Sequence, residues 1–390
     1  MTGDSPRLEA RLPEALLTDF RWAAGIPAGS QVRLRIPADY SLLMESGPAA
    51  SEVLAIQRLI SLSRAASIQA VWEGAAWDVI SANPALYPLL SVLLVLPCVE
   101  HSLDEKDNDT PLDVSAARVS ALNHRLAKSA AFASDIVLCL EGVGTGVSAD
   151  LYDPKTLRLH SREYFESMAV EVLTTNPPVG AAAQRVYERA SLLGTILAEL
   201  IENSEIHGRL GADGRPILGT GVRGLVFRRV KLVLPIPKAL KEQPKTREVN
   251  CFEASIFDAG IGYFASYTRD QLTPQTDLKL EWQVLHNCLE RHYHHELSDS
   301  RPIHRGLGLY EVLRALQALK GRIEFRTGRL YAYRTFLDGE LQAQMKPKAS
   351  FAHLAWPEPR LLDMDKKYLA LPTEHERLVG ASVRLLVPLD

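Results

Sequence analysis

A carboxylate, an amide and an imidazole recur at intervals of four in the segment ELIENSEIH, as Glu199, Asn203 and His207. In a helix each step of four advances about 40° past a full turn, so the three side chains share one narrow stripe. Such a stripe can bring a base, a hard oxygen ligand and a hydrogen-bonding ring to one site at the edge of a core. A helix face that is simply wet gives the same spacing. A second segment, Phe257-Asp258-Ala259-Gly260-Ile261-Gly262, sets an acid before two glycines. An aspartate there can accept a hydrogen bond from an exocyclic amine such as that of adenine, and glycines let backbone approach a flat ligand. Asp and Gly are also common turn residues, so a plain turn explains the same letters. The third segment, Arg305-Gly306-Leu307-Gly308-Leu309-Tyr310, opens a helical pattern. Amides and the positive dipole end of a helix suit phosphates there; an ordinary glycine-rich helix entry is the alternative. No G-x-x-x-x-G-K-[ST] occurs, which excludes a P-loop.

These segments need elements to hold them. Val186, Leu193, Ile196, Leu197, Leu200 and Ile201 predict a long helix over 181–207 with one apolar face. A helix over Arg162–Thr174 precedes it and stops at Pro177-Pro178. Strands are predicted at Val222–Leu234 and Cys251–Phe257, and the polar, Pro-rich PIPKALKEQPKTRE between them reads as an exposed loop. A helix over Leu309–Leu319 ends at Gly321, and strands follow at Arg322–Arg326 and Ala381–Val387. Upstream, Gln31–Ile36 alternates as a half-buried strand, Val53–Ala66 has helical spacing, and Ile68–Trp72 and Ile136–Leu140 read as short buried strands. Asp104–Asp113 reads as an acidic loop. Alternating strands and helices predict the α/β (α+β) class, with a smaller N-terminal α/β domain over 1–160 for regulation or partner binding. Gly142, Gly144 and Gly146 imitate a dinucleotide loop, but VSADLYDPKTLRL after them has no apolar helical stripe, so they read as a connector.

Composition narrows the classes. The chain has 390 residues, 46% hydrophobic and 23% charged, enough apolar content for a sizeable core and too much for disorder. Lys and Arg number 44 against 47 Asp and Glu, so no basic surplus points to a nucleic acid. The four cysteines form no C-x-x-C pair, which argues against a disulfide framework or structural zinc and fits a reducing, cytoplasmic setting. The most apolar stretch, Ala85–Val99, is shorter than the roughly 20 residues of a membrane span and holds Pro88 and Pro97. No signal pattern opens the chain.

In order, a helix with E-x-x-x-N-x-x-x-H, a strand with D-x-G-x-G and G-L-G-L opening a helix resemble the GHKL ATPase superfamily: type II topoisomerases, the heat-shock chaperone, sensor histidine kinases and MutL. The resemblance covers about 180–388. Arg305–Phe325 is most similar to the histidine-kinase version, as is the end segment Gly380-Ala381-Ser382-Val383. Where the family has Gly-Thr this chain has Gly380-Ala381, leaving Ser382 as a stand-in hydroxyl. The resemblance implies a C-terminal Bergerat-type sandwich over 161–390, a mixed sheet backed by helices, with insertions near 208–250, 263–304 and 337–378. It implies ATP and Mg2+ as ligands. Asn203 would hold magnesium and Glu199 would act on the attacking water. Asp258 would read the adenine amine, with Gly260 and Gly262 giving it room. Arg305, Gly306, Gly308 and Leu309 would wrap the phosphates, and His207 would face them. Tyr263–His304 would be the nucleotide lid, offering Arg269, Lys279, Arg291 and Arg301. In the lid, His292, His294 and His295 lack acidic or cysteine partners at metal spacing and read as a solvated face. His295-Glu296 with Pro302 is misplaced for a phospho-accepting box. The implied function is an ATP-hydrolysing switch coupled to a protein partner or a homodimer, in bacterial regulation or defence. The alternative is a protein kinase, of histidine-kinase or anti-sigma serine type, acting on a separate partner.

Overall fold

The computed structural model describes residues 7–12, 16, 26–27, 29–38, 51–83, 86–96, 98–105, 108–122, 135–140, 150–173, 181–211, 215, 221–235, 246–289, 308–337, 361–365 and 371–389. Two sheets and their helices make a mixed α/β protein. The first sheet runs β1 (Arg7–Arg11), β2 (Gln31–Ile36), β3 (Ser67–Trp72), β4 (Val99–Glu105) and β5 (Asn108–Pro111), neighbours in sequence order. Its pairs are parallel except β4 with β5. β2 alternates as its sequence predicts, with Val32, Leu34 and Ile36 buried and Arg33 and Arg35 on the opposite face. The connecting helices are α1 (Ser51–Ala65), α2 (Ala76–Ala82), α3 (Tyr87–Val95) and α4 (Ser115–Leu122). All nine residues of α3 are buried, so the apolar run around it is a core helix. Among the described residues, no helix is long and apolar enough to cross a membrane.

The acidic stretch Asp104–Asp113, expected as a loop, is instead largely the β4–β5 hairpin. Asp104 pairs directly with Asp109, an arrangement that repels on its own. Arg35 donates to Asp104 at 2.8 Å and Arg33 to Asp109 at 2.6 Å, and these cations on β2 remove the objection.

The second sheet has the order β11-β10-β9-β12-β8-β7-β6. Its strands are β6 (Asp135–Leu140), β7 (Val222–Pro235), β8 (Thr246–Asp258), β9 (Arg322–Gly328), β10 (Leu330–Thr335), β11 (Leu362–Asp363) and β12 (Leu378–Pro388). Every neighbouring pair is antiparallel. The mixed sheet that the resemblance implies is therefore not seen here; parallel pairing is confined to the first sheet. One face packs on α5 (Arg162–Leu173), α6 (Ala181–His207) and α9 (Gly308–Ala318), through Leu193, Leu197, Ile256, Leu313 and Leu385. The other face, through Ile136, Leu138, Val226 and Phe257, shares a core with α1, α3 and the first sheet. An antiparallel sheet usually keeps one face wet. Along Cys251–Phe257 this one is covered on both, and even Glu253 and Ser255 are buried.

Three expected boundaries change. The sequence places β6 in the 1–160 domain, yet it pairs with β7 from Asp135↔Phe227 to Leu140↔Val222 and belongs to the second sheet. Its letters carry no mark of so distant a partner. The 208–250 insertion is largely a long hairpin, in register up to Pro235↔Thr246; the loop 236–245 lies outside the described residues. Residues 263–289 of the expected lid hold two packed helices, α7 (Gly262–Thr268) and α8 (Leu278–Asn287), joined by a loop. Buried Glu281 on α8 holds Arg329 at 3.0 Å and its amide at 2.8 Å. The rest of the lid, with Arg291, the three histidines and Arg301, lies outside the described residues, as do Gly142, Gly144, Gly146 and 338–360.

Candidate functional site

The last turns of α6 and the start of α7 face β8 and β12 across a cleft of about 440 Å³, counting its open mouth. Leu200, Asn203, His207, Asp258, Gly262, Tyr263, Ser266, Ala381 and Val383 line it. Strand alternation decides which residues of β12 reach it. Ala381 and Val383 do; Ser382 points behind the sheet and donates to Gln57 Oε1 at 3.0 Å. Ser382 therefore cannot stand in for the hydroxyl that Ala381 lacks. Thr327 of β9, paired opposite Ala381, brings a hydroxyl nearby. Its Oγ1 donates to Gly380 O and accepts from the Tyr263 amide, both at 3.3 Å. A threonine in a strand gives no sequence signal of that role.

The glycines divide the work differently from expectation. A Cβ on Gly260 would lie 2.6 Å from Gly208 Cα and from His207 O, and one on Gly208 would lie 2.5 Å from Asp258 Cβ. Gly260 thus makes room for the end of α6 to touch the end of β8, and not for a ligand. Gly262 does line the cleft, at φ +73°, and Gly380 holds φ +74° against Asp258 O; both conformations favour glycine.

Asp258 sits where helix end and strand end meet. Its Oδ1 accepts the Gly260 amide at 2.8 Å, and the Ala381 amide also bonds it. Although its carboxyl opens to the cleft, the surrounding protein desolvates it and pushes its pKa up to about 6, against the pull of these amides and of Arg223. His207 Nδ1 pairs with Ser266 Oγ at 2.7 Å, tying α6 to α7.

Glu199 lies one turn before Asn203, toward α9. A Cβ on Gly308 would meet Glu199 Oε2 at 2.4 Å and Asn203 Nδ2 at 3.7 Å, so the third segment abuts the first. Burial raises the Glu199 pKa, and the charges of Glu202 and Glu311 raise it further, while Arg162 opposes them. Such a carboxyl is a stronger base than a solvated one and sits in a field that favours an incoming cation. Leu309, expected at the phosphates, is buried in the core beneath α9. An amphipathic helix must spend its first apolar residue that way. Arg305 and Gly306 lie outside the described residues, and Arg269 and Lys279 are exposed. Among the described residues, no three His, Cys, Asp or Glu side chains cluster for a metal. An ion here would depend on the Asn203 amide, water and its own ligand's oxygens, an arrangement magnesium accepts.

Comparison of the chain with models of known protein families, with curated proteins and with solved structures finds no match.

Proposed function

We propose that the cleft binds ATP and that the chain is a Bergerat-type ATPase switch, cycling between ATP- and ADP-bound states to act on a protein partner or a second copy of itself. The observation that carries this reading is convergence: Asn203, His207, Asp258 and Gly262 line a single cleft, and Gly308 abuts Glu199 at its end. A sheet layered against α5, α6 and α9 supports the same reading.

Adenine would lie against Leu200, Ile256 and Val383, with the Asp258 carboxylate accepting its amine. The Asn203 amide oxygen would hold magnesium, which supplies charge neutralisation on the phosphates. Glu199 takes the proton of the attacking water as the water oxygen bonds to the γ-phosphorus and the bridging oxygen leaves with ADP. The charges of Glu202 and Glu311 strengthen it as a base. A protein hydroxyl or imidazole in the water's place would make the same base serve a kinase. Incubation of the pure chain with γ-labelled ATP and magnesium separates these. Free labelled phosphate is the expected product. Labelled protein without free phosphate would move the reading to phosphotransfer. No ADP binding by calorimetry would end it.

A further inference from the structure

Where α1 meets the second sheet close to the cleft, the contact is polar and closely matched. Gln57 is fully buried. Its Nε2 donates to Arg326 O at 3.3 Å and to Val379 O at 3.2 Å, and its Oε1 accepts from Ser382 Oγ at 3.0 Å. One turn on, Ser61 Oγ accepts the Val379 amide at 2.9 Å and donates to Gln57 O at 2.8 Å. Arg58 donates to Glu376 Oε1 at 2.6 Å and 3.0 Å, and Glu376 also faces Arg326. α1 thus grips the incoming end of β12 from behind.

That end is irregular. The register between β12 and β9 shifts between Leu378 and Ala381. Gly380 sits within the shift, packed on Asp258 O, and its own carbonyl receives the Thr327 hydroxyl. One peptide therefore separates the residue held by α1, Val379, from the backbone that shapes the cleft around Asp258. A buried amide with three bonds tolerates one arrangement, whereas an apolar contact there could slide.

We propose that α1 is the element through which the N-terminal unit sets the nucleotide affinity of the cleft, with Gln57 and Ser61 as positioning residues. Displacement of α1 by a partner moves Val379, then Gly380 and Ala381, and loosens the seat of Asp258; nucleotide in the cleft steadies α1 in return, by the reciprocity of coupled sites. This inference rests on the nucleotide reading above. The test pairs hydrogen exchange of the full chain, with and without saturating Mg-ADP, with ADP calorimetry on three proteins. ADP is expected to slow exchange at 53–63 as well as at 378–382. Gln57→Leu is expected to weaken ADP about tenfold, the scale of one lost buried hydrogen bond. Leu34→Ala, which opens the first sheet's core and leaves the hydrogen-bonding groups of Gln57 and Ser61 in place, is expected to lower the melting temperature and keep wild-type affinity. If Gln57→Leu does not fold, Ser61→Ala enters the same comparison. Wild-type protein that binds ADP with exchange at 53–63 unchanged overturns the coupling and spares the nucleotide reading, as does wild-type affinity in the α1 variant. Wild-type protein that binds no ADP overturns both.

Discussion

On β12, Ala381 and Val383 face the cleft, while Ser382 and Arg384, each one residue along, are bonded behind the sheet. The two faces treat charge in opposite ways. Behind the sheet, Arg228, Glu253, Arg384, Glu324 and Arg322 form a chain of ion pairs across four strands, at 2.6, 2.7, 3.2 and 2.8 Å. Each buried carboxylate there has two guanidinium partners. On the cleft face, Glu199 has like charges nearby and Asp258 is held near 6 by desolvation. Fully paired charges are inert. Carboxyls left short of a counter-charge are the ones a ligand or a proton can complete.

The largest test of that contrast is Glu199→Gln, which keeps shape and removes the base. Phosphate release is expected to fall at least a hundredfold, within the range of roughly 10²–10⁴ for general base catalysis, with ATP affinity within a few-fold of wild type. Glu202→Gln, on the exposed side of the same turn, should lower turnover far less, because burial, the larger cause of Glu199's basicity, is untouched. Equal turnover in Glu199→Gln and wild type would take Glu199 out of the chemistry.

A smaller effect is expected at Asp258. Asp258→Asn replaces a pure acceptor with an amide and should cost about tenfold in ADP affinity by calorimetry, the scale of one unmatched buried polar contact. Its pH dependence separates two roles. The folded carboxyl titrates near 6 and the unfolded one near 3.8, so the folded state binds the proton more tightly between them. This group therefore adds stability as pH falls from about 6 toward 4. On the proposed adenine contact ADP would need the carboxylate, so affinity should fall over the same window. Both trends, taken as wild type minus Asp258→Asn, should be present and opposite in sign; a wild-type affinity flat from pH 7 to 5 would remove Asp258 from the adenine contact.

The smallest effect belongs to the back of the sheet. Ser255 is fully buried, and its hydroxyl has no partner among the described residues. Ser255→Ala should leave turnover unchanged and hold or slightly raise the stability to denaturant, by up to about 1 kcal/mol, because a desolvated hydroxyl is removed. A clear loss of stability would mean that the hydroxyl is bonded after all.

How much of this was legible depended on range. α6 is found over the predicted 181–207 because one apolar stripe of period 3.6 records a helix locally. β2 and β3 are equally local, whereas the apolar run around α3 has no period that separates a buried helix from a buried strand. Asn203, His207, Asp258 and Gly262 could be named from spacing and resemblance, since helix phase and strand ends are written in short segments. What escaped is set by distant pairing. β6 joins a strand of the other sheet, Asp104 and Asp109 are tolerated in a hairpin only because arginines arrive from β2, and Thr327 acquires its role from Gly262 and Gly380. Gly260 follows the same rule: its neighbour is Gly208 on another element, which no reading of D-x-G-x-G reveals.

The position of β12 has a consequence for how the protein is made. It is the last strand of the second sheet in chain order, yet it sits between β9 and β8 near the middle. The first sheet uses residues 7–111 and can assemble early on the ribosome, since domains fold as their sequence emerges. The cleft cannot. Until residues 378–388 have been synthesised, β8 and β9 have no strand to join them, and Asp258 lacks the Ala381 amide. A nascent chain therefore carries a completed N-terminal sheet for much of its synthesis with no competent cleft, and the late, long-range insertion of β12 should set the folding rate.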